Sequence, residues 1–376
     1  MVKLSKIYIM MLCAAVVMTG CAQSQREKEA AVVAEPVDET EVAEEIEPEE
    51  AVEEVKLHPV TEGTIDYLSV EGISLEPGME IAMVATNSQN SFYNIVKKGA
   101  SAAVEDLNTA LGYTGKDKVT FSYAAPKTED VIDQINIIDQ FLDKAPDALC
   151  IAFSDATASK TQMEMAKNNG VKLIAFDTPD DSRASETLVA TDNIAAASGA
   201  ASKMFNAVNY NGKIAVIVHN SLKQTGRDRY HAITNELQQN YANKDLRLVD
   251  VVYLAQDERT AKEIFDDLLE KNPDLGGIIC TDLETTEAAI EYAKGLEEKT
   301  FSIVGFDISE KIASAISDGT IIGTVAQDSY GIGYATIVAA ARSIAGMENA
   351  ENIHTDHLWI DSSNLDSKEA QSLLNN

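Results

Sequence analysis

"EIAMVATNSQNSFYNIVKKGASAAVEDL", residues 80–107, carries the pattern that decides the fold. A short apolar run, 81–85, gives way to a polar loop, 86–91, and then to two adjacent aromatics, Phe92 and Tyr93, within a helical pattern. An unbroken apolar run is what a strand buried on both faces needs, and a helix directly after it begins a parallel crossover. The unit recurs. "KVTFSYA", "ALCIAF", "KLIAFD", "TLVATD", "KIAVIVH", "LVDVVYL", "GGIICTD", "FSIVGFD" and "IIGTVAQ" follow the first run, separated by segments such as "DVIDQINIIDQFLD" with helical apolar spacing. The alternation predicts an α/β chain of parallel sheets covered by helices on both faces. About ten strands are too many for one small sheet and divide into two lobes.

Ligands of doubly wound sheets bind beyond the carboxyl ends of the strands, so the residues at each exit carry the functional signal. Here they are Thr86 through Asn90, Ser154-Asp155, Asp177-Thr178, His219-Asn220, Asp282, Asp307 and Gln327-Asp328. Any one of these alone reads as a helix cap or turn former, and Ser154-Asp155 and Asp307 suit that role. Their convergence on one edge reads as a binding site. Phe92 and Tyr93 have a plain alternative as core residues of the first helix. His219 and His231 have no catalytic partner pattern and read as structural histidines. No Gly-x-Ser-x-Gly elbow, phosphate-cradling loop or Cys/His metal spacing is present, so neither enzyme activity, cofactor nor metal is expected.

The chain has 376 residues and a net charge of −31, which excludes a nucleic-acid binder. Much of the charge lies in "EPVDETEVAEEIEPEEAVEEVK", a self-repelling run that reads as an extended tether. Ahead of it, Lys3 and Lys6 precede a short apolar stretch, 7–17, and small residues: a secretory signal peptide. Met18-Thr19-Gly20-Cys21 resembles a bacterial lipobox, which implies lipidation of Cys21; ordinary secretory cleavage is the alternative. Cys13 lies in the signal, and Cys150 and Cys280 sit in apolar runs and are expected as buried free thiols.

The ordered set of motifs resembles the type I periplasmic sugar-binding proteins, close in pattern to the family's ribose binders. "IAMVATNSQNSFYNIVKKGA" resembles the family's first strand, polar loop, aromatic pair and helix, and "LIAFDTPD" its strand ending in a ligand-binding Asp. "VATDN" resembles the first hinge crossing, "TGRDRYHAI" the loop with a sugar-clamping Arg, and "IICTDLETTEAAI", "IVGFD" and "GTVAQDSYGIG" the later binding segments. The resemblance spans roughly 79–365. It implies that Thr86 and Asn90 hydrogen-bond a sugar and that Phe92 and Tyr93 lie against its ring. Asp177, and Arg229 rather than Arg227, would bind its hydroxyls; Asp155, Asp282, Asp307 and Gln327 are further candidates from the strand exits. Four departures stand out: Thr178 where the ribose binders carry Arg, Asp282 for Asn, Ser91 for Pro, and no aromatic near Gln256 and Asp257. The site is therefore more acidic than its relatives', which admits another sugar or a ligand of some positive character.

The resemblance also implies two doubly wound parallel-sheet lobes joined by a three-crossover hinge. The expected division is signal 1–20, lipid anchor and acidic linker 21–75, one lobe from 79–191 plus 328–356, and the other from 192–327 plus 357–365. The implied function is an extracytoplasmic, membrane-anchored, monomeric binding protein that delivers a small sugar to an ABC transporter permease. The alternatives are a ligand-sensing receptor for a membrane sensor and a binder of a nucleoside or other non-sugar. A sugar-responsive repressor would need a basic helix-turn-helix in front, where this chain has a signal and an acidic linker.

Overall fold

A computed structural model describes residues 60–180 and 184–375. The expected signal, Cys13, Cys21 and most of the expected acidic linker lie outside the described residues. The chain opens with a hairpin, β1 (Thr61–Glu62) and β2 (Ile65–Asp66), followed by β3 (Glu80–Val84), α1 (Ser91–Leu111), β4 (Thr120–Ala124) and α2 (Val131–Leu142). Next come β5 (Ala148–Ile151), α3 (Lys160–Asn168), β6 (Lys172–Phe176) and β7 (Thr187–Thr191). The alternation continues through α4 (Asn193–Ala207), β8 (Asn211–Val218), α5 (Gln224–Asn240), β9 (Asp245–Tyr253), α6 (Ala261–Lys271) and β10 (Leu275–Cys280). It ends with α7 (Leu283–Lys294), β11 (Ser302–Phe306), α8 (Glu310–Ser317), β12 (Gly323–Gln327) and α9 (Ser329–Ile344), then β13 (Asn352–Thr355), β14 (His357–Ile360) and α10 (Lys368–Asn375).

Two six-stranded sheets result, ordered β13-β7-β6-β5-β3-β4 and β14-β12-β11-β10-β8-β9. Every pairing within them is parallel except β12 with β14. The α/β class with two doubly wound sheets is as the sequence implies. The ten strands read from the alternation are present, each within a few residues of its expected ends. The chain passes between the sheets three times: after β7, after β12, and between β13 and β14.

Each sheet is buried on both faces, which explains its continuous apolar strands. The first lies between a core with α1 and α9 and a second with α2 and α3. The other lies between α4 and α5 on one side and α6, α7, α8 and α10 on the other. Helix α9 is buried almost throughout because it runs between sheet and α1. The two helices meet backbone to backbone: a Cβ on Gly333 would stand 1.9 Å from the Val96 carbonyl oxygen, and one on Gly99 2.0 Å from that of Tyr330. Cys150 and Cys280 are buried free thiols in β5 and β10, and burial pushes both thiols up.

The expected linker boundary at 75 needs correction. Val60, Tyr67, Leu68, Ile73 and Leu75 are buried in the same core as α1 and α9, and the Tyr67 hydroxyl accepts from the Ala350 N–H at 2.9 Å. After residue 60 the acidic density falls and apolar residues return, so this stretch has enough side chain to bury.

Candidate functional site

The strand exits of both lobes face one cleft, and eight of the ten predicted ligand residues line it: Asn90, Phe92, Tyr93, Asp177, Arg229, Asp282, Asp307 and Gln327. The space between them, counted with its open mouth, is ≈ 470 Å³. Thr86 is fully buried beside it and lies 3.4 Å from Lys223 Nζ. Asp155 is not in the cleft. Its Oδ1 accepts from the Ala158 N–H at 3.0 Å, the local turn role that Asp plays at many strand exits.

In the first lobe, Asn90 caps α1 by accepting from the Phe92 N–H, and this sets Phe92 and Tyr93 in the helix's first turn. The rings pack edge to face with centroids 5.0 Å apart. Both belong to the core and to the cleft wall at once, so neither of the two sequence readings excludes the other. The Tyr93 hydroxyl donates to Asp177 Oδ2 at 2.7 Å; burial, then the Asp177 charge, pushes that hydroxyl well above its ordinary range. Asp177 follows β6 at φ 55, with its N–H donating to the Val189 carbonyl. That left-handed conformation is uncommon outside glycine, though Asp tolerates it better than most.

In the second lobe, Arg229 is buried on α5. Its Nε donates to Asn193 Oδ1 at 2.7 Å, its Nη1 donates to the Thr281 carbonyl at 2.5 Å, and its guanidinium lies 3.8 Å over the Phe306 ring. The planar fork is therefore held rigidly, while Nη2 has no protein acceptor among the described residues. Arg227, by contrast, turns to the carbonyls of Ser221 and Leu222. Asp307 follows β11 at φ 69 and accepts from Gln327 Nε2 at 2.5 Å. Burial raises its carboxyl to about 7, with Arg229 opposing the shift. Gln327 Oε1 is buried without a donor, an acceptor that a ligand hydroxyl would satisfy.

Sequence reasoning missed Lys223, Glu284 and Glu129, and placed His219 outside the binding role. His219, Lys223 and Glu284 line the cleft. Glu129, at the exit of β4, pairs with Lys223 at 3.0 Å and with His219 Nε2 at 3.2 Å. The strand-exit rule would have found it, had "PKTED" after "KVTFSYA" been treated as an exit rather than the start of a helix. Burial works against the ionised Glu129, but Lys223 and His219 outweigh it and hold the carboxyl down at about 2. His219 is opposed by burial too, yet the Glu129 hydrogen bond and the Asp282 charge raise it. Asp282 caps α7 through Thr285, and Glu284 Oε1 accepts from Asn90 Nδ2 at 2.5 Å. Burial, then Asp282, raises the Glu284 carboxyl. His219, Asp282 and Glu284 bring donor atoms within 4.8 Å of one another, an imidazole and two carboxylates of the kind a divalent ion accepts.

The sequence profile of the periplasmic binding protein domain family matches residues 81–348. The ribose import binding protein RbsB of Bacillus subtilis is 25% identical over 224 residues, covering 60% of this chain and 72% of that protein. Among solved structures, a solute-binding protein of an ABC transporter from Agrobacterium vitis, with bound D-fucose, is 25% identical with a TM-score of 0.70. It matches 78% of this chain and 99% of its own. A second from the same species, bound with α-D-tagatopyranose, has a TM-score of 0.71 at 21% identity, over 79% and 99% of the two chains.

Proposed function

This chain belongs to the periplasmic binding protein domain family, and from that premise we propose that it captures a small sugar, a pentose or hexose, and delivers it to an ABC transporter. One observation carries the reading: the acceptors Asp177 and Asp307, the donor Arg229 and the rings of Phe92 and Tyr93 surround a single space between two lobes. A sugar has apolar C–H faces and a rim of hydroxyls, which rings and bidentate polar groups match respectively. The names of the relatives, which include a ribose import protein and a transporter protein with bound D-fucose, support it.

The proposed mechanism is closure about the three crossings near residues 192, 328 and 356. The lobes are 79–191 plus 328–356 and 192–327 plus 357–365. A ligand held from both sides stabilises the closed form, and the permease reads that form. The protein works as a monomer outside the cell membrane, held there by a lipid on Cys21, and performs no chemistry on its ligand.

A thermal-shift screen followed by calorimetry tests this, with D-ribose, D-fucose, D-arabinose, D-tagatose and D-glucose as probes. At least one should bind, and Asp177→Ala and Arg229→Ala should each weaken it by about 100-fold or more, since each leaves buried polar partners unpaired. Silence from every sugar and polyol, with a nucleoside or amino acid binding instead, would overturn the substrate class. Asp282 and Glu284, neither paired with a cation among the described residues, favour a second reading in which the ligand carries an amino group. D-galactosamine binding more tightly than D-galactose would decide for it.

A further inference from the structure

Glu129 belongs by position to the first lobe, in the loop between β4 and α2, yet its side-chain partners all lie across the cleft. Oε2 pairs with Lys223 Nζ at 3.0 Å and His219 Nε2 at 3.2 Å, while Oε1 accepts from Asn220 Nδ2 at 3.0 Å. Both carboxylate oxygens are thus satisfied, by three groups from the end of β8 and the start of α5. The contact is largely shielded from water: the side chains of Glu129, Lys223 and His219 are 11%, 16% and 18% exposed. Lys223 also reaches Thr86 Oγ1 in the first lobe and lies 5.9 Å from the centre of the Tyr93 ring. Glu129 itself does not line the ligand space, whereas Lys223 and His219 do.

We propose that Glu129 is a closure clasp: a positioning residue that holds the two lobes together before any ligand arrives and fixes the Lys223 ammonium at the wall of the binding space. The inference rests on the reading of the cleft as a hinged binding site. Charge-assisted hydrogen bonds that satisfy both oxygens of a shielded carboxylate are the arrangement in which such an ion pair is net favourable. Here, of the two His219 imidazole nitrogens, Nδ1 alone is left buried without a partner among the described residues. Opening the lobes separates all three contacts at once, so their loss is concentrated in the open–closed step and not in the folding of either lobe. A ligand meeting a chain already closed part of the time forfeits less affinity to the closing step.

Amide hydrogen exchange on the full chain, freed of bound small molecules by unfolding and refolding, reads this without any ligand. In wild type, exchange at 126–131 and 219–227 should be slow. Glu129→Gln and Lys223→Met should each speed it by at least about tenfold, leave β3 and β8 unchanged, and show no further increase when combined. Wild-type rates at both segments in either single variant would overturn the clasp, and so would an equal rise in β3 and β8, the signature of general destabilisation. Should Glu129→Gln fail to fold, Lys223→Met carries the same test. The sugar screen is independent of it: a cleft that binds sugar with no clasp, and a clasp in a protein that binds none, give different patterns.

Discussion

Asp177 and Asp307 are one device made twice. Each follows a strand near the middle of its sheet, each has a left-handed backbone (φ 55 and 69), and each donates its N–H to the carbonyl of the next strand, Val189 or Val325. Their surroundings differ. Asp177 is held by the hydroxyl of Tyr93 among the rings of Phe92 and Phe176, whereas Asp307 is held by the Gln327 amide with Arg229 nearby. The fold supplies the strand exits, and side chains set round them supply the chemistry. The first lobe presents mainly ring faces, while the second presents Lys223, Arg229, His219, Asp282, Glu284 and Asp307.

The largest expected effect tests that asymmetry through protons. Asp307 titrates at about 7 when folded, against an ordinary 3.8, because burial disfavours its charge. The folded chain therefore holds a proton that the unfolded chain has released between those values, so stability falls as pH rises from about 4 to 7. The cost by pH 7 is up to about 4 kcal/mol, and Asp307→Asn should remove it. Asp328, raised to about 6 by burial, contributes in the same direction in both proteins. Urea unfolding of both proteins between pH 4.5 and 7.5 measures the difference. Parallel curves would mean that Asp307 is solvated enough to ionise freely.

Next comes the helix contact of the first lobe. Gly333→Ala places a methyl group 1.9 Å from a backbone oxygen on α1, where no rotamer change can relieve it. We expect a loss of about 3 kcal/mol, read by urea unfolding and, locally, by faster hydrogen exchange in α1. Gln134 provides a second test of the same lobe. Its Nε2 donates to the carbonyls of Ala85 and Ala152, and its Oε1 accepts from the Ser154 N–H, so one amide ties the ends of β3 and β5. In the second lobe the hydroxyl of Thr286 accepts from the Phe306 N–H at the end of β11 and lies within donating distance of the Asp282 and Phe306 carbonyls, so it ties one strand end to its own helix. Gln134→Leu orphans three buried backbone groups and should cost about 2 kcal/mol or more; Thr286→Val should cost less.

Where the sequence was legible, it was legible for physical reasons. A strand buried on both faces has to be continuously apolar, which is why β3, β5, β6, β8, β10 and β11 stand out in the text. Local pattern does not report what pairs at an edge: β13 and β14 are four residues each, β13 alternates in burial at one sheet's edge, and β14 pairs antiparallel with β12 at the other's. Nor does it report ion pairs between distant segments. Glu129 and Lys223 are ordinary loop charges in sequence, and only folding brings them within 3.0 Å. Strand-exit residues were recoverable because their positions follow from the strands. Asp155 shows the limit of that rule, since an exit residue can serve only its own turn.

The smallest effect sharpens the comparison most. Gly277 in β10 is a tight glycine of the second lobe, and a Cβ there would stand 2.3 Å from the Met204 sulfur on α4. The number resembles that at Gly333, but the obstacle differs. A thioether at the end of an unbranched side chain can change rotamer, whereas a helix carbonyl moves only with its helix. Gly277→Ala should therefore cost about 1 kcal/mol, a third of Gly333→Ala, and the loss should fall further in Gly277→Ala with Met204→Ala than additivity allows. An equal cost for both glycines, with no coupling to Met204, would mean that α4 is held against its sheet as rigidly as α9 is against α1. The second lobe would then be as rigid as the first.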